Sequence, residues 1–315
     1  MPIPSYEAAE ALVYDPVAAN RGATRSALAA IGFRQIEAVA SVSDFARAIY
    51  RLSPDLIVCE VQTGEMQVCD QIQAMRNGMT GYNPFVVVIA TTWDKSKTMV
   101  RRVIDSGADD LILRPFSNGI LASRIEAATH HRKGFVITHD YIGPDRRRDP
   151  GRVSAVLFEP PNSLALKADG RQKAEAEAKQ FDEELRAARA FLSGEKIRRD
   201  AFQTGVLLRL METEEFGREK FEDYIARLTA FCRAISRRSR EVQLSGAQMW
   251  CDMAMNAIGK LGKDGDRAEA MRLLDRAVQN LNRIASPEKD EKVFWADIEA
   301  AIAAKRSHEV RHKAQ

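Results

Sequence analysis

Short apolar segments alternate with amphipathic ones along the first part of the chain. Residues 10–15, 34–40, 54–60, 84–91 and 110–115 are rich in Val, Ile and Leu, and each segment predicts a β-strand. The third and fourth segments are apolar almost throughout, as is typical of strands buried on both faces of a sheet. Helical spacing predicts helices over residues 18–31, 43–51, 67–76, 95–106 and 117–131. This alternation predicts a doubly wound, five-stranded parallel α/β sheet over residues 8–133.

The pattern changes over residues 134–169, where proline and glycine recur and exclude a long regular element. The string "YIGPDRRRDP", residues 141–150, is also locally basic. Two interpretations remain open for this segment. It is either a solvated linker or an ordered strap packed on a neighbouring domain, because apolar residues recur along it.

Helical periodicity dominates residues 170–306, which we predict to form a separate all-α helical bundle of five or six helices. One example is the stripe from Met249 through Trp250 and Met253 to Leu261, which we assign to a helix core and not to a cofactor site. The string "SGEK", residues 193–196, predicts a break between two of these helices.

Composition narrows the classes of function. The 47 basic and 44 acidic residues leave a net charge of +3, so we do not expect a nucleic-acid partner, although "RRSR" at 237–240 keeps DNA binding as an alternative. No apolar segment is long enough to predict a membrane span. The four cysteines have neither zinc-like nor paired spacing, which indicates reduced thiols in a cytoplasmic protein.

Polar residues stand where the predicted strands end. In a parallel sheet these ends meet at one edge, so their side chains are expected to share a pocket. The residues are Asp15 and Pro16, Glu60, Thr91 and Thr92, and Arg114 and Pro115.

Three strings at these ends resemble the response-regulator receiver domain. They are "LVYDPVAANR" at 12–21, "PDLIVCE" at 54–60 and "GADDLILRPF" at 107–116, in the family's order and at its spacing. The resemblance covers less than half of the chain. It implies a receiver fold, and it also implies that this copy departs from the family at the positions where the family's chemistry takes place.

The first departures concern the metal and the phosphate acceptor. Active receivers hold Mg²⁺ with two strand-one acids and phosphorylate an aspartate on strand three. Here Asp15 keeps the first acid, Pro16 has no ligand atom at the second, and Glu60 replaces the acceptor. Asp15 and Glu60 remain the only candidate metal ligands, and we expect neither Mg²⁺ nor another cofactor.

The remaining departures concern phosphate binding and switching. The family's hydroxyl falls on Thr91 or Thr92, and the sequence does not choose between them. Arg114 stands where the family has Lys, followed by the family's Pro115, and Leu111 stands at the aromatic switch position. Because a guanidinium suits a carboxylate, we predict an ion pair between Glu60 and Arg114 at the floor of the pocket.

These features predict a non-enzymatic signalling adaptor: a degenerate, pseudo-receiver domain that works through protein–protein interaction. The resemblance places the candidate docking face at Arg101, Arg102, Asp109, Leu111 and Phe116. The expected partners are other signalling proteins and, through the helical bundle, a second copy of the chain. Two alternatives are a phosphorelay response regulator still phosphorylated in its receiver domain and a DNA-associated regulator. No histidine occurs between Gly170 and Ser307, which excludes histidine phosphotransfer for the helices.

Overall fold

The structure is a computed structural model that describes residues 4–64, 67–138, 140–146, 156–213, 217–261 and 267–313, with side chains as far as residue 304. The chain divides into two compact units, Met1–Arg189 and Ala190–Gln315.

The first unit is built on the predicted parallel sheet. Its strands are β1 (Glu10–Tyr14), β2 (Gln35–Val39), β3 (Leu56–Glu60), β4 (Val87–Thr92) and β5 (Asp110–Leu113). They pair in the order β2-β1-β3-β4-β5, and every pairing is parallel. The strands alternate with α1 (Ala18–Ile31), α2 (Val42–Leu52), α3 (Gln67–Arg76), α4 (Lys97–Asp105) and α5 (Asn118–His130). The predicted doubly wound fold is therefore confirmed.

The fourth strand starts later than its apolar pattern predicts. The backbone carbonyls of residues 84–86 accept hydrogen bonds from Arg76 and Arg132 instead of pairing along the sheet. Strand pairing with β3 therefore begins at Val87. An apolar run alone does not reveal which of its carbonyls a distant arginine will engage.

A hydrophobic core lies on each face of the sheet. Ile57 and Cys59 of β3 belong to the core shared with α2, α3 and α4. Leu56 and Val58 belong to the core shared with α1 and α5. This alternation follows from the two-residue period of a strand, and it leaves β3 buried along its whole length.

The described residues of the segment after the sheet, 134–138, 140–146 and 156–169, pack within the first unit as an ordered strap, as the second interpretation predicts. It contains β6 (Phe135–Ile137), β7 (Ile142–Pro144) and β8 (Val156–Phe158), which form an antiparallel sheet, and then α6 (Ser163–Ala168). The Asn162 side-chain amide donates to the Ala128 carbonyl at 2.9 Å, and Lys167 pairs with Asp55 at 2.8 Å. Of the basic string 141–150, only residues 141–146 are described.

The described part of the chain after residue 170 is mostly helical. A short 3₁₀ turn (Arg171–Lys173) is followed by α7 (Glu175–Thr213), α8 (Arg218–Glu241), α9 (Ala247–Lys260), α10 (Arg267–Ala285) and α11 (Glu291–Lys313). One hydrophobic cluster draws buried residues from all five helices and includes Leu261 of the predicted Met and Trp stripe, and Trp250 and Met253 pack against it. Met249, at the start of that stripe, is 54% exposed, so its assignment to the core is wrong. Among the described helices, none is both long and apolar enough to cross a bilayer.

Two boundaries in this region differ from the pattern. The units separate at Arg189, inside α7, and not at the predicted residue 170. The predicted break at residues 193–196 is also wrong, because α7 continues through it. The polar residues there are accommodated by packing, since the buried Ser193 donates a hydrogen bond of 2.9 Å to Glu241 of α8.

Candidate functional site

The predicted site residues meet at the carboxyl edge of the sheet. Asp15 follows β1 directly, Glu60 is the last residue of β3, and Arg114 follows β5. Glu60 lies in register with Thr91 on the neighbouring strand. The parallel strand order thus brings together side chains that are as far as 99 positions apart in the sequence.

Arg114 is the centre of this pocket, and it contacts both acids. Its Nε donates to Glu60 Oε2 at 2.7 Å, and its Nη2 donates to Asp15 Oδ2 at 3.1 Å. The two carboxylate side chains are each 1% exposed, and Arg114 is 8% exposed. The predicted ion pair between Glu60 and Arg114 is present, and the guanidinium bridges a second carboxylate as well.

The choice between the two threonines is decided by the direction of their side chains. Thr91 Oγ1 donates to Glu60 Oε2 at 2.5 Å, so Thr91 lines the pocket. Thr92 Oγ1 donates instead to the Val61 carbonyl at 2.8 Å. Neighbouring residues of a strand point to opposite faces, so only one of the pair can reach Glu60.

Sequence reasoning missed two residues that complete the pocket. Thr24 of α1 is 2% exposed and receives a hydrogen bond of 3.3 Å from Arg114 Nη2. The Val17 amide donates to Asp15 Oδ1 at 2.8 Å. A signal for Thr24 exists in the sequence, because it lies three and four residues before Ala27 and Leu28 and is thus a polar residue on the core-facing stripe of α1.

The pocket has one more negative charge than positive charge when Asp15, Glu60 and Arg114 are all ionised. Burial raises the pKa of Asp15, while the Val17 amide and Arg114 lower it and Glu60 raises it further. Glu60 Oε1 is buried and has no hydrogen-bond partner among the described residues. Of the two Glu60 carboxylate oxygens, Oε2 is hydrogen-bonded within this part of the chain and Oε1 is not.

The oxygen atoms of this pocket do not fit Mg²⁺. Both Asp15 oxygens are engaged by the Val17 amide and Arg114, Pro16 offers no side-chain ligand, and one Glu60 oxygen is already shared by two donors. Mg²⁺ needs near-octahedral oxygen ligation, usually with one or two accessible carboxylates. In the described part of the chain, no group of three or more His, Cys, Asp or Glu side chains could hold a metal.

Four of the five residues of the candidate docking face lie at or near the surface. Arg101 is exposed, and its Nε lies 3.8 Å from Asp105. Arg102 is half-buried. Leu111 packs at the margin of one core, and Phe116 packs at the margin of the other beneath the Arg114 guanidinium, 4.8 Å from the ring centroid.

The fifth residue, Asp109, does not present its side chain on the predicted docking face. Its side chain is 6% exposed and pairs with Arg76 at 2.9 Å and with Arg132 at 2.8 Å. It also accepts a hydrogen bond from the Val88 amide. The carboxylate is directed inward because it neutralises two buried guanidinium groups from segments distant in the sequence, which periodicity does not reveal.

The string "RRSR" on α8 offers little surface to a nucleic acid. Arg238 and Ser239 are each 2% exposed. Arg237 lies 3.6 Å from Glu241, so its charge has an acidic neighbour. Of these four residues Arg240 alone is exposed, whereas duplex binding requires a cluster of accessible cations.

Comparison with known proteins finds relatives only among solved structures. No family model and no curated protein matches the chain. The chemotaxis protein CheY4 of Vibrio cholerae is 19% identical over 38% of this chain and 96% of its own, with a TM-score of 0.34. The receiver domain of a Pseudomonas aeruginosa sensor histidine kinase is 21% identical over 38% and 94%, with a TM-score of 0.34. An orphan response regulator of H. pylori is 20% identical over 38% and 96%, with a TM-score of 0.33.

The strand order 2-1-3-4-5 with helices on both faces is the doubly wound arrangement that CheY shares with flavodoxin. The N-terminal part of the chain is thus a doubly wound α/β domain with this strand order, and a long helical region follows it.

Proposed function

We propose that this protein is a non-enzymatic signalling adaptor whose receiver-like domain works without phosphorylation. One observation carries the proposal: Arg114 contacts both Glu60 and Asp15 inside the buried pocket. Where an active receiver would bring a phosphoryl group, a metal and a lysine together, this chain already contains an anion, a cation and their hydrogen bonds.

The chemistry of the pocket argues against phosphoryl transfer. A phosphoryl group carries negative charge that must be neutralised by metal and cation during transfer. Here the cation is already shared by two carboxylates, and the residue set does not fit Mg²⁺. An incoming phosphodonor would meet an excess of negative charge at Asp15 and Glu60. Phosphorylation of Glu60 is therefore disfavoured electrostatically.

A domain of this kind acts through what it binds. We propose that its partners are other signalling proteins in the cytoplasm, and that the helical region mediates self-association or binds a second protein. The proposal of self-association is tested by measuring the mass of the full chain in solution over a range of concentrations. A mass that stays at 35.2 kDa throughout would contradict it.

The phosphorylation alternative is tested with a small-molecule phosphodonor and Mg²⁺, using intact mass as the readout. We expect no adduct on the full-length protein and none on Glu60→Asp, because Pro16 still lacks the ligand and Arg114 still occupies the pocket. The triple variant Pro16→Asp, Glu60→Asp, Arg114→Lys restores all three family residues and is the positive comparison. Labelling of the unmodified protein or of Glu60→Asp at the level of the triple variant would refute a phosphorylation-independent pocket.

A further inference from the structure

The loop between α4 and β5 is held at the end of the sheet opposite to the pocket. The Asp109 amide donates to the Val88 carbonyl at 2.7 Å, which ties the loop to β4. Arg76 Nε donates to the Gly107 carbonyl at 2.9 Å, which ties it to α3. These two bonds connect the loop to β4 and to α3, and residues of the strap contact its remaining side.

Residues Tyr141–Arg146, here called the latch segment, cover that side at very short range. A Cβ added to Gly143 would lie 2.8 Å from Gly107 Cα and 2.6 Å from Tyr141 Oη. A Cβ added to Gly107 would collide with the Ile142 carbonyl oxygen, and Gly107 also has a φ of +87°. Both glycines are therefore required by the approach of two backbones, a role that the sequence alone does not distinguish from a helix end.

Polar contacts fasten the latch segment to the same loop. Arg146 Nη2 donates to the Ala108 carbonyl at 2.6 Å and to the Asp109 carbonyl at 3.0 Å. The Tyr141 hydroxyl donates to the Pro144 carbonyl at 3.0 Å, which fixes the shape of the segment itself. The guanidinium thus satisfies two carbonyls of the loop, one of which belongs to the fully buried Ala108.

The strand before the latch segment adds a second layer. The Phe135 ring of β6 lies 5.1 Å from the guanidinium of Arg76 and 4.9 Å from that of Arg132. Both guanidiniums also bind Asp109. Burial lowers the pKa of Arg76 to about 10, against the opposing effect of Asp109. Strap, loop and α3 therefore share one buried polar cluster.

We propose that the latch segment holds the α4–β5 loop in a single conformation and so keeps the receiver-type domain from switching. The edge strand β5 pairs with β4 alone, so its position depends strongly on what holds its ends. Arg114 fixes the carboxyl end, and the latch segment fixes the amino end. This inference rests on the proposed function, since both describe a domain with one state, but it concerns a different part of the fold.

The test is hydrogen–deuterium exchange on the full-length protein, read by mass spectrometry. Arg146→Ala removes two donated hydrogen bonds, so we expect exchange of amides 107–112 to rise about tenfold while β1 and β3 keep their protection. Arg124→Ala is the matched control. The exposed Arg124 side chain lies 3.3 Å from Asp110. Its removal should change exchange of amides 107–112 by less than about twofold.

Two results would contradict the proposed role of the latch segment. One is unchanged exchange at residues 107–112 in Arg146→Ala. The other is an equal rise in β1 and β3, which would mean a general loss of stability. Gly143→Ala provides a second perturbation, and we expect it to raise exchange in the same amides by more than Arg146→Ala does. Phosphodonor labelling tests the proposed function of the pocket, whereas hydrogen exchange in Arg146→Ala tests the proposed role of the latch segment. Failure of one proposal is therefore distinguishable from failure of the other.

Discussion

The replacement Arg114→Ala tests the pocket most directly, because it removes the single cation between two buried acids. The variant loses the hydrogen bonds to Glu60, Asp15 and Thr24. Glu60 keeps Thr91 as a donor, and Asp15 keeps the Val17 amide and the favourable charge of Arg21, but both carboxylates lose the guanidinium that contacts them. Breaking a buried ion pair from one side costs about 3–5 kcal/mol, because the partner charge remains buried.

Hydrogen exchange on the full chain measures this loss for the first unit alone, which matters because a two-unit protein need not unfold in one step. About 1.4 kcal/mol corresponds to a tenfold change, so exchange of β1 and β3 amides should accelerate roughly 10²- to 10⁴-fold near pH 7. Arg114→Lys restores the charge, but a point ammonium cannot span two carboxylates as a fork does. We therefore expect an intermediate acceleration from it.

The pH dependence gives the same prediction a second readout. Arg114 lowers the pKa of Asp15 against the effect of burial, so its removal raises that pKa further. Asp15 then takes up a proton more readily as the pH falls, and the cost of the variant should shrink toward pH 4. The reasoning is refuted if Arg114→Ala changes exchange by less than about fivefold at pH 7, or if its effect does not decrease on acidification.

Three further changes separate the contributions of individual groups. Thr91→Val removes the donor to Glu60 Oε2 at nearly constant side-chain volume. It should destabilise the first unit by about 1–3 kcal/mol in the same exchange assay. An effect no larger than that of Thr92→Val would contradict the assignment of Thr91 to the pocket. Asp109→Asn should lower the free energy of unfolding by about 3–5 kcal/mol, because the buried guanidiniums of Arg76 and Arg132 lose their shared anion. An unchanged free energy of unfolding in urea would contradict this, because it would show that the backbone carbonyls alone stabilise the two guanidiniums. Because the native pKa of Asp15 is raised, its contribution to stability is present below the unfolded pKa and lost as pH rises through the native value. The stability of Asp15→Asn relative to the unmodified protein should therefore increase from pH 4 to pH 7, and a flat or opposite trend in intrinsically corrected exchange would contradict the raised pKa.

The local sequence pattern was sufficient to predict the parallel sheet and the ion pair at the floor of the pocket. Strands and helices followed from periods of two and 3.6 residues, and these periods are set by the backbone near each residue. The pairing of Glu60 with Arg114 followed because strand ends meet at one edge and a guanidinium complements a carboxylate. The same reasoning could not extend to Asp15, whose bond to Arg114 depends on where the end of the arginine fork lies after packing.

The sequence by itself therefore determined the fold of the first unit, the helical character of the rest and the chemical nature of the strand-end residues. Only the tertiary structure decided that Thr91 and not Thr92 faces the pocket, that the Asp109 side chain is buried, and that the described residues of 134–169 form a strap. The physical reason is the same in each case. Buried polar groups must find partners, and those partners come from segments that are close in space and far apart in the chain. Gly107 shows a similar dependence for backbone contacts, because a side chain there would collide with the Ile142 carbonyl oxygen of the distant strap.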